Sequence, residues 1–250
     1  MNQARIALSI AGLLLLGGCG APEATDLPVG EHVASTRDAL VTVESQNFQT
    51  FTLGESWAEG STHQDLDVVF LSQGLAKIVK DRTKALYLEP RFVAGATRAA
   101  LVINTTAYAD AYTMQVDAKT SRQLRRTPNA WERDWLFWDY TDNNHFYYAI
   151  CKSNGFEIGK EWQDQDGIQQ QQFLYTAASP GCTVGSWHTY GVVQTVADTS
   201  VTFSVYLNGA LVTTYTDEGL SISGAAYPGG KFGFYTEDAR TVWDNFSVSR

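Results

Sequence analysis

The chain has 250 residues, with 27 Asp and Glu against 18 Lys and Arg, and a formal charge of −9 at neutral pH. Clustered cations are needed to bind nucleic acid or an anionic lipid surface, so this balance argues against both as partners. The sequence carries no Walker, dinucleotide-binding or zinc signature, which argues against a nucleotide as a ligand.

The first 18 residues have the pattern of an export signal. A segment with one positive charge, residues 1–5, precedes an apolar run over residues 6–16 that is too short to cross a bilayer as a helix. The sequence Leu-Gly-Gly-Cys at residues 16–19 then resembles the lipobox of bacterial lipoproteins. The resemblance implies cleavage before Cys19, lipidation of its thiol and a place in the bacterial cell envelope. Because Gly20 and not Asp follows, it favours the outer membrane over the inner one.

Residues 19–39 are polar and include Pro22, Pro28 and Gly30, which predicts a flexible tether. Removal of residues 1–18 leaves 17 Lys and Arg against 27 Asp and Glu. The remaining residues, 40–250, are predicted to form a single β domain.

Two cysteines remain once Cys19 carries lipid, Cys151 and Cys182. An even number of cysteines in an oxidising compartment suggests one disulfide between them. Two separate buried thiols are the alternative at this point.

Alternation with a period of two residues recurs along the chain and predicts strands. It is clear in Ser200–Leu207, where Asn208 and Gly209 follow as a type I′ hairpin signal and Ala210–Thr216 returns as the partner strand. Short strands at this spacing predict an all-β fold, a two-sheet antiparallel sandwich or jelly roll. Residues 73–84 are a possible short helix. The other predicted strands are Leu40–Glu44, Asp67–Leu71, Leu75–Val79, Ala85–Glu89, Ala99–Asn104, Ala111–Ala118, Glu132–Tyr140, His145–Lys152, Gly155–Lys160, Gln171–Tyr175, Trp187–Val196, Lys231–Thr236 and Thr241–Val248.

The last third of the chain resembles a known superfamily. The segments that carry the resemblance are GSWHTY at residues 185–190, VYLNG at 205–209, GKFGFY at 230–235 and WDNFSV at 243–248. Their order is similar to that of the concanavalin A-like lectin/glucanase superfamily, including laminin-G-like domains. The resemblance implies a jelly roll, and it leaves function open because the superfamily holds lectins, hydrolases, lyases and adhesive modules.

Aromatic residues are densest between residues 131 and 148. Aromatic rings on a sheet can stack on sugars, and they can also fill a sandwich interior. On the strand that begins at His145, the alternation predicts Phe146, Tyr148 and Ile150 in the core, with His145 and Tyr147 on the opposite face.

Two enzymatic patterns are partly present. Family 16 glycoside hydrolases of this fold carry two glutamates and an aspartate on one strand, which Glu132 and Asp134 resemble, but the second glutamate is absent. Glu157 and Glu161 are alternative carboxylates on a neighbouring strand.

The segment SRQLR at residues 121–125 resembles a strand of jelly-roll alginate lyases, with Ser121 in place of Arg and Gln123 in place of Glu. Lyase chemistry uses a base and a group that neutralises a carboxylate, for which His145, Tyr147 and Arg125 are candidates. With Lys152 and Lys160 nearby, such a site would suit an acidic glycan.

Members of the superfamily often hold a structural Ca²⁺ through the first and last strands. The resemblance makes Glu44 and Asp244 the matching ligands. Asp244 shares its parity with Val242 and Phe246, which predicts that it points inward.

The sequence therefore predicts an envelope-anchored β-sandwich that binds a polysaccharide or glycoconjugate. A hydrolase or lyase on the same scaffold is the first alternative, and a structural or adhesive module is the second. The catalytic candidates are Glu132, His145, Tyr147 and Arg125. The predicted carbohydrate-binding residues are Gln123, Arg125, Trp131, Glu132, Trp135, His145, Tyr147 and Lys160.

Overall fold

The computed structural model describes residues 40–219 and 224–250. The predicted signal peptide, the lipidation site Cys19 and the tether lie outside these residues. The described part contains no helix that is long and apolar enough to cross a membrane. It forms 18 strands, β1 (Thr42–Gln46), β2 (Ser56–Trp57), β3 (Thr62–His63), β4 (Leu66–Phe70), β5 (Leu75–Lys80), β6 (Lys84–Glu89), β7 (Ala99–Asn104), β8 (Tyr108–Ala109), β9 (Tyr112–Gln123), β10 (Asp134–Asp142), β11 (His145–Lys152), β12 (Gly155–Gln163), β13 (Gln169–Ala177), β14 (His188–Ala197), β15 (Ser200–Leu207), β16 (Ala210–Asp217), β17 (Gly229–Glu237) and β18 (Ala239–Ser249).

The strands form two nine-stranded sheets. Sheet A has the order β16-β15-β14-β9-β18-β6-β5-β2, with β1 added along β18. Sheet B has the order β13-β12-β11-β10-β17-β7-β4-β3, with β8 added along β17. All pairings between neighbouring strands in the two sheets are antiparallel. The predicted two-sheet antiparallel sandwich is confirmed.

The main core lies between the sheets. Sheet A contributes alternate residues of β9 such as Met114 and Val116, and sheet B contributes Leu136 and Trp138 of β10. All four side chains are at most 1% exposed. Burial of this aliphatic and aromatic surface is the main term that stabilises the sandwich.

The hairpin between β15 and β16 has the predicted turn. Asn208 and Gly209 adopt φ values of 52° and 78°. A type I′ turn requires positive φ at both central residues, which Asn and Gly tolerate best. The turn fixes the register that pairs Leu207 with Ala210.

Most strand predictions agree with the structure, and β7, β11 and β15 have the predicted bounds. Residues 75–80 form strand β5, so the possible short helix over residues 73–84 is wrong. The two-residue strands β2, β3 and β8 were not predicted, because two residues are too few to show an alternation.

Cys151 and Cys182 form a disulfide, with their Cα atoms 5.5 Å apart. The predicted pairing is confirmed over the alternative of two free thiols. The bond joins β11 of sheet B to the segment that leads into β14 of sheet A.

The predicted orientation of β11 is reversed. Tyr147 lies between the sheets and is fully buried, whereas Phe146, Tyr148 and Ile150 lie on the outer face of sheet B. Both faces of β11 are apolar, so alternation separates the two faces without indicating which one is inner.

The predicted inward direction of Asp244 is also wrong. Asp244 pairs with Asp117 of β9, and paired residues share a face. That face is the outer one, because Met114 and Val116 of the same strand point into the core. The register shifts between Asp244 and Ser247, which returns Phe246 to the core.

Candidate functional site

A second apolar cluster covers the outer face of sheet B. It contains eight buried residues from three strands of that sheet, β7, β10 and β11, with partly buried residues of β4 and β17 packed against it. Its buried members are Leu101, Ile103, Trp135, Phe137, Tyr140, Phe146, Tyr148 and Ile150. These rings and aliphatic side chains give the outer face of sheet B an apolar floor in place of the solvated polar side chains of an exposed sheet face.

This face forms the floor of a groove with a volume of about 680 Å³. The walls come from β12, from β13 and from the segment that precedes β10. The lining residues are Phe70, Leu101, Trp131, Trp135, Phe137, Asn143, Phe146, Glu157, Glu161, Gln169, Gln171, Phe173, Tyr235 and Glu237.

The rings of the floor pack on one another. Phe137 stacks between Phe146 and Tyr235, with centroid distances of 4.1 and 4.8 Å. Trp135 packs against Tyr235 at 5.4 Å and donates its Nε1 hydrogen to the carbonyl oxygen of Trp131 at 2.8 Å. These contacts hold the floor rigid and fix the segment that carries Trp131.

Two rings of the groove remain open to solvent. Trp131 is 45% exposed, and Phe173 of β13 is 59% exposed. Phe173 is on β13, and Trp131 is on the segment that precedes β10, which β11 and β12 separate from β13 in sheet B. A planar ligand in the groove can therefore stack on either ring.

Glycine at position 159 is required by close packing in the floor. A Cβ atom on Gly159 would lie 2.1 Å from the hydroxyl oxygen of Tyr148. That hydroxyl in turn donates to Glu157 at 3.3 Å. The absence of a side chain at position 159 thus lets the Tyr148 ring lie flat across β12.

Three carboxylates project into the groove. Glu157 accepts from Lys152 Nζ at 2.5 Å. Glu161 accepts from Gln169 Nε2 at 3.0 Å, and Glu237 accepts from the hydroxyl of Tyr235 at 3.0 Å. Among the described residues that line the groove, none is Lys, Arg or His.

Two of these carboxyl groups, Glu161 and Glu237, have raised pKa values. Burial raises the pKa of Glu161 to about 7, and the charge of Glu237 adds to this effect. Burial also raises the pKa of Glu237 to about 7, with Asp238 and Glu132 contributing. Near neutral pH both groups are therefore partly protonated, so each can donate or accept a proton.

Of the predicted carbohydrate-binding residues, Trp131 and Trp135 line the groove. Arg125 lies beside it and is held by two buried carboxylates, Glu132 at 2.8 Å and Asp238 at 2.5 Å. Gln123 donates to the carbonyl oxygen of Asn129 at 2.8 Å. Gln123, Arg125 and Glu132 thus brace the segment that carries Trp131, and they are absent from the groove lining.

Tyr147 and Lys160 are in the interior, so their predicted role as sugar contacts is wrong. Lys160 is fully buried and pairs with Asp217 at 2.7 Å, and Tyr147 donates to the same carboxylate at 2.6 Å. Lys160 is the neighbour of Glu161, and successive residues of a strand face opposite sides.

His145 is the first residue of β11 and pairs with Asp142, the last residue of β10, at 2.9 Å. Asn143 of the turn between these strands lines the groove, and His145 does not. Of the predicted catalytic candidates, the structure brings Arg125 and Glu132 together at 2.8 Å and places His145 and Tyr147 elsewhere.

The strand pattern that resembled family 16 hydrolases does not place two carboxylates on one face of a strand. Glu132 precedes β10 and accepts from Asn129 Nδ2 at 2.6 Å. Asp134 points into the core and accepts a hydrogen bond from the Tyr190 hydroxyl at 3.1 Å. The Nε2 atom of His188 lies 2.7 Å from the same carboxylate. The carboxylates of the groove come from β12 and β17 instead.

The two predicted calcium ligands lie apart. Glu44 accepts from Asn104 at 2.9 Å and from Tyr108, whereas Asp244 accepts from Thr83 and from a backbone amide. Among residues 40–219 and 224–250, no group of three or more His, Cys, Asp or Glu side chains is arranged to hold a metal ion. Calcium binding stays a prediction, without a shared site for these two residues.

The groove residues that the sequence analysis missed include Glu237, Gln169, Gln171 and Phe173. The alternation of Gln169, Gln171 and Phe173 along β13 was a usable signal for a shared face. Glu237 carried no such signal, because it joins the groove only through the pairing of β17 with β10.

The order and pairing of the strands define a jelly roll of the concanavalin A-like type, as the motifs of the last third predicted. An endo-1,3-beta-glucanase from Streptomyces sioyaensis has a similar structure, with a TM-score of 0.50 and 13% identity over 85% of this chain and 96% of that chain.

Two further solved structures are similar at lower scores. One is a Bacillus subtilis protein of unknown function with a galectin-like fold (13% identity, TM-score 0.48, 83% of this chain and 95% of that chain). The other is a Lotus tetragonolobus seed lectin (14% identity, TM-score 0.47, 78% of this chain and 97% of that chain). At these identities the likeness shows the fold alone. No protein-family profile and no curated protein matches the sequence.

Proposed function

We propose that the protein binds a neutral polysaccharide in the groove on the outer face of sheet B. The observation that carries this proposal is the combination of two solvent-open rings, Trp131 and Phe173, with carboxylates and amides in one groove. Rings stack on the C–H faces of sugars, and carboxylates and amides hydrogen-bond their hydroxyls.

The charge of the groove separates a neutral ligand from an acidic one. A uronate would meet Glu161 and Glu237, which have no cation beside them among the described lining residues, and Glu157, whose charge is balanced by Lys152 at 2.5 Å. Like charges at close range oppose binding. The groove therefore supports a neutral glycan over the acidic glycan that the positions of Arg125 and Lys160 in the sequence suggested.

The proposal includes the predicted location. The lipobox-like segment that ends at Cys19 supports a lipid-anchored protein of the bacterial cell envelope, with the outer membrane favoured. A domain tethered in this way would meet glycans of the envelope or of the surroundings. Neutral cell-wall and storage polysaccharides are thus the first ligands to test.

The test is a binding screen against neutral and uronate-containing polysaccharides with a matched pair of variants. Trp131→Ala should weaken binding by about tenfold, since loss of one stacking ring costs about 1 kcal/mol or more. Trp187→Ala is the control, because Trp187 is stacked under Arg82, at 4.2 Å, outside the groove. Equal binding by the two variants, or no binding to any glycan, would overturn the proposal.

A second candidate function, hydrolysis of the bound glycan, is favoured by one specific observation. Glu161 and Glu237 enter the same groove, and burial raises the pKa of each to about 7. Glycoside hydrolysis needs one protonated and one ionised carboxyl at the working pH. Two such groups in one groove meet the acid–base part of that requirement.

Release of reducing ends from any polysaccharide that binds tests this second candidate. Glu161→Gln and Glu237→Gln should each abolish release while binding persists. Glu218→Gln is the control, since Glu218 is exposed and outside the groove. Binding without any product from the unmodified protein would rule hydrolysis out and leave the binding proposal intact.

A further inference from the structure

Lys160 is a buried cation in direct contact with a carboxylate of the other sheet. Lys160 of β12 is 0% exposed, and its Nζ lies 2.7 Å from Oδ2 of Asp217, at the end of β16. Asp217 is itself 5% exposed. Because a buried ion pair carries a large desolvation cost, a neutral product from the same atoms would be favoured there.

Aromatic rings surround the pair. The Lys160 ammonium lies 4.5 Å from the ring centroid of Tyr227 and 5.7 Å from that of Tyr147. Phe203 packs on Tyr147 at 5.0 Å and on Tyr215 at 5.7 Å. Burial among these rings lowers the pKa of Lys160, which makes its amine lone pair more available.

Two hydrogen-bond donors point at the carboxylate of Asp217. The hydroxyl of Tyr147 donates to Oδ2 at 2.6 Å, and the backbone N–H of Gly219 donates to Oδ1 at 3.0 Å. Donors on both oxygens would stabilise the negative charge that forms when a nucleophile adds to the carboxyl carbon. Lys160 also donates to the carbonyl oxygen of Ala225 at 2.8 Å, a bond that an amide N–H can keep.

We propose that Lys160 and Asp217 condense into an intramolecular isopeptide bond. A proton moves from Nζ to the carboxylate of Asp217, which gives a neutral amine and a neutral acid. The Nζ lone pair then attacks Cγ, and the tetrahedral intermediate is held by Tyr147 and Gly219. Loss of one water molecule, which carries away a carboxyl oxygen and two protons, leaves the amide. No oxidant, metal or co-reactant is required.

The bond would join the two sheets covalently. Lys160 belongs to sheet B and Asp217 to sheet A, and the two residues are 57 positions apart in the chain. It would lie near the edge formed by β13 and β16, the outermost strands of the two sheets in the described part of the chain. The proposal is independent of glycan binding.

Trypsin gives a direct test, because Lys160 is the only Lys or Arg between Lys152 and Lys231. The full chain is reduced, alkylated, denatured and digested, and the peptides are weighed. An isopeptide bond blocks cleavage after Lys160, so residues 153–231 appear as one peptide, lighter by one water molecule. Separate peptides 153–160 and 161–231 at full mass would overturn the proposal.

Variants exclude a trivial missed cleavage. Asp217→Asn should still cross-link, with loss of ammonia instead of water, so the product has the same mass as the cross-linked native peptide. Asp217→Ala should give the two separate peptides. Lys152→Met is the control, because Lys152 forms its ion pair with Glu157 outside this cluster. It removes one tryptic site, so residues 134–231 should appear as one peptide that is lighter by one water molecule. A fused peptide at full mass in the native protein would attribute the missed cleavage to digestion alone and overturn the proposal.

Discussion

Carboxyl groups of the same residue type are driven to opposite protonation states by their neighbours. Asp139 is fully buried and accepts from Tyr112 and Gln194, both neutral donors, and burial raises its pKa to about 8. Asp134 is equally buried, and its pKa is lowered even though burial opposes this, because His188 pairs with it at 2.7 Å. The partner, more than burial alone, decides the charge at each site.

Asp139 provides a test through pH. The folded-state pKa lies above the ordinary value of 3.8 for an aspartate, so the folded protein keeps this proton to a higher pH than the unfolded chain. Its contribution to stability is therefore complete at low pH and is lost as pH rises from about 4 to about 8, by up to about 1.4 kcal/mol per unit. Asp139→Asn cannot ionise, and its gain in unfolding free energy over the native protein should grow across this range.

Urea unfolding of both proteins at about pH 5 and about pH 8 measures this difference. The comparison cancels the titration of all other groups, since they are common to both proteins. Asn also tolerates the positive φ of 49° at position 139. Parallel stability curves for the two proteins would show that Asp139 does not carry the expected proton.

Strands β10 and β11 carry apolar residues on both faces, and this feature links the core to the groove. Leu136 and Trp138 enter the core, while Trp135 and Phe137 form the groove floor. A strand buried on both sides ties the shape of the groove to the packing of the sandwich. A substitution that displaces a ring of the floor should therefore alter binding and stability together.

Gly159→Ala tests this link. The added Cβ would lie 2.2 Å from Cζ of Tyr148, so the ring must leave the floor. We expect a loss of about 1–3 kcal/mol in unfolding free energy and loss of glycan binding. Gly191→Ala in sheet A is the control, because its Cβ would meet Tyr206 at an ordinary 3.4 Å. Equal effects of the two substitutions in unfolding and binding measurements would contradict the packing described for Tyr148.

The disulfide links β11 to the segment before β14, and we expect it to contribute to stability without affecting ligand binding in the groove. The chain between Cys151 and Cys182 is closed over a separation of 31 residues. Loss of such a constraint costs about 3–4 kcal/mol on the loop-entropy scale. Cys151→Ala with Cys182→Ala should lower the unfolding free energy by about this amount.

Glycan affinity of this double variant should be unchanged below its melting temperature, because neither cysteine lines the groove. Calorimetric titration of the folded variant measures it. A fall in affinity without unfolding would place the disulfide in the support of the groove, contrary to the structure.

For the whole molecule, alternation and turn residues were sufficient to predict the strands and the sandwich. The site was predictable only where its residues are close in sequence, as for Trp131 and Trp135. Glu237 enters the groove through strand order, which depends on long-range pairing that no local pattern encodes. Lys160 and Tyr147 were wrongly predicted to face the ligand, because polar side chains are expected at a surface. In the structure both bind Asp217 inside the core, and local sequence does not encode this partner.

The location of the protein is a prediction at the same scale. Cys19→Ser should move the protein from the membrane fraction to the soluble fraction of the envelope, because it removes the only group proposed to carry lipid. Membrane retention of this variant would contradict the lipid anchor and leave the groove unaffected as a proposal.

The central claim is that the groove selects a neutral glycan. Calorimetric titration at neutral pH with a neutral oligosaccharide and a uronate oligosaccharide of equal length tests it most directly. The account predicts measurable binding of a neutral glycan, a loss of about tenfold in Trp131→Ala and no binding of the uronate. Preferential binding of the uronate, with full affinity in Trp131→Ala, would contradict it.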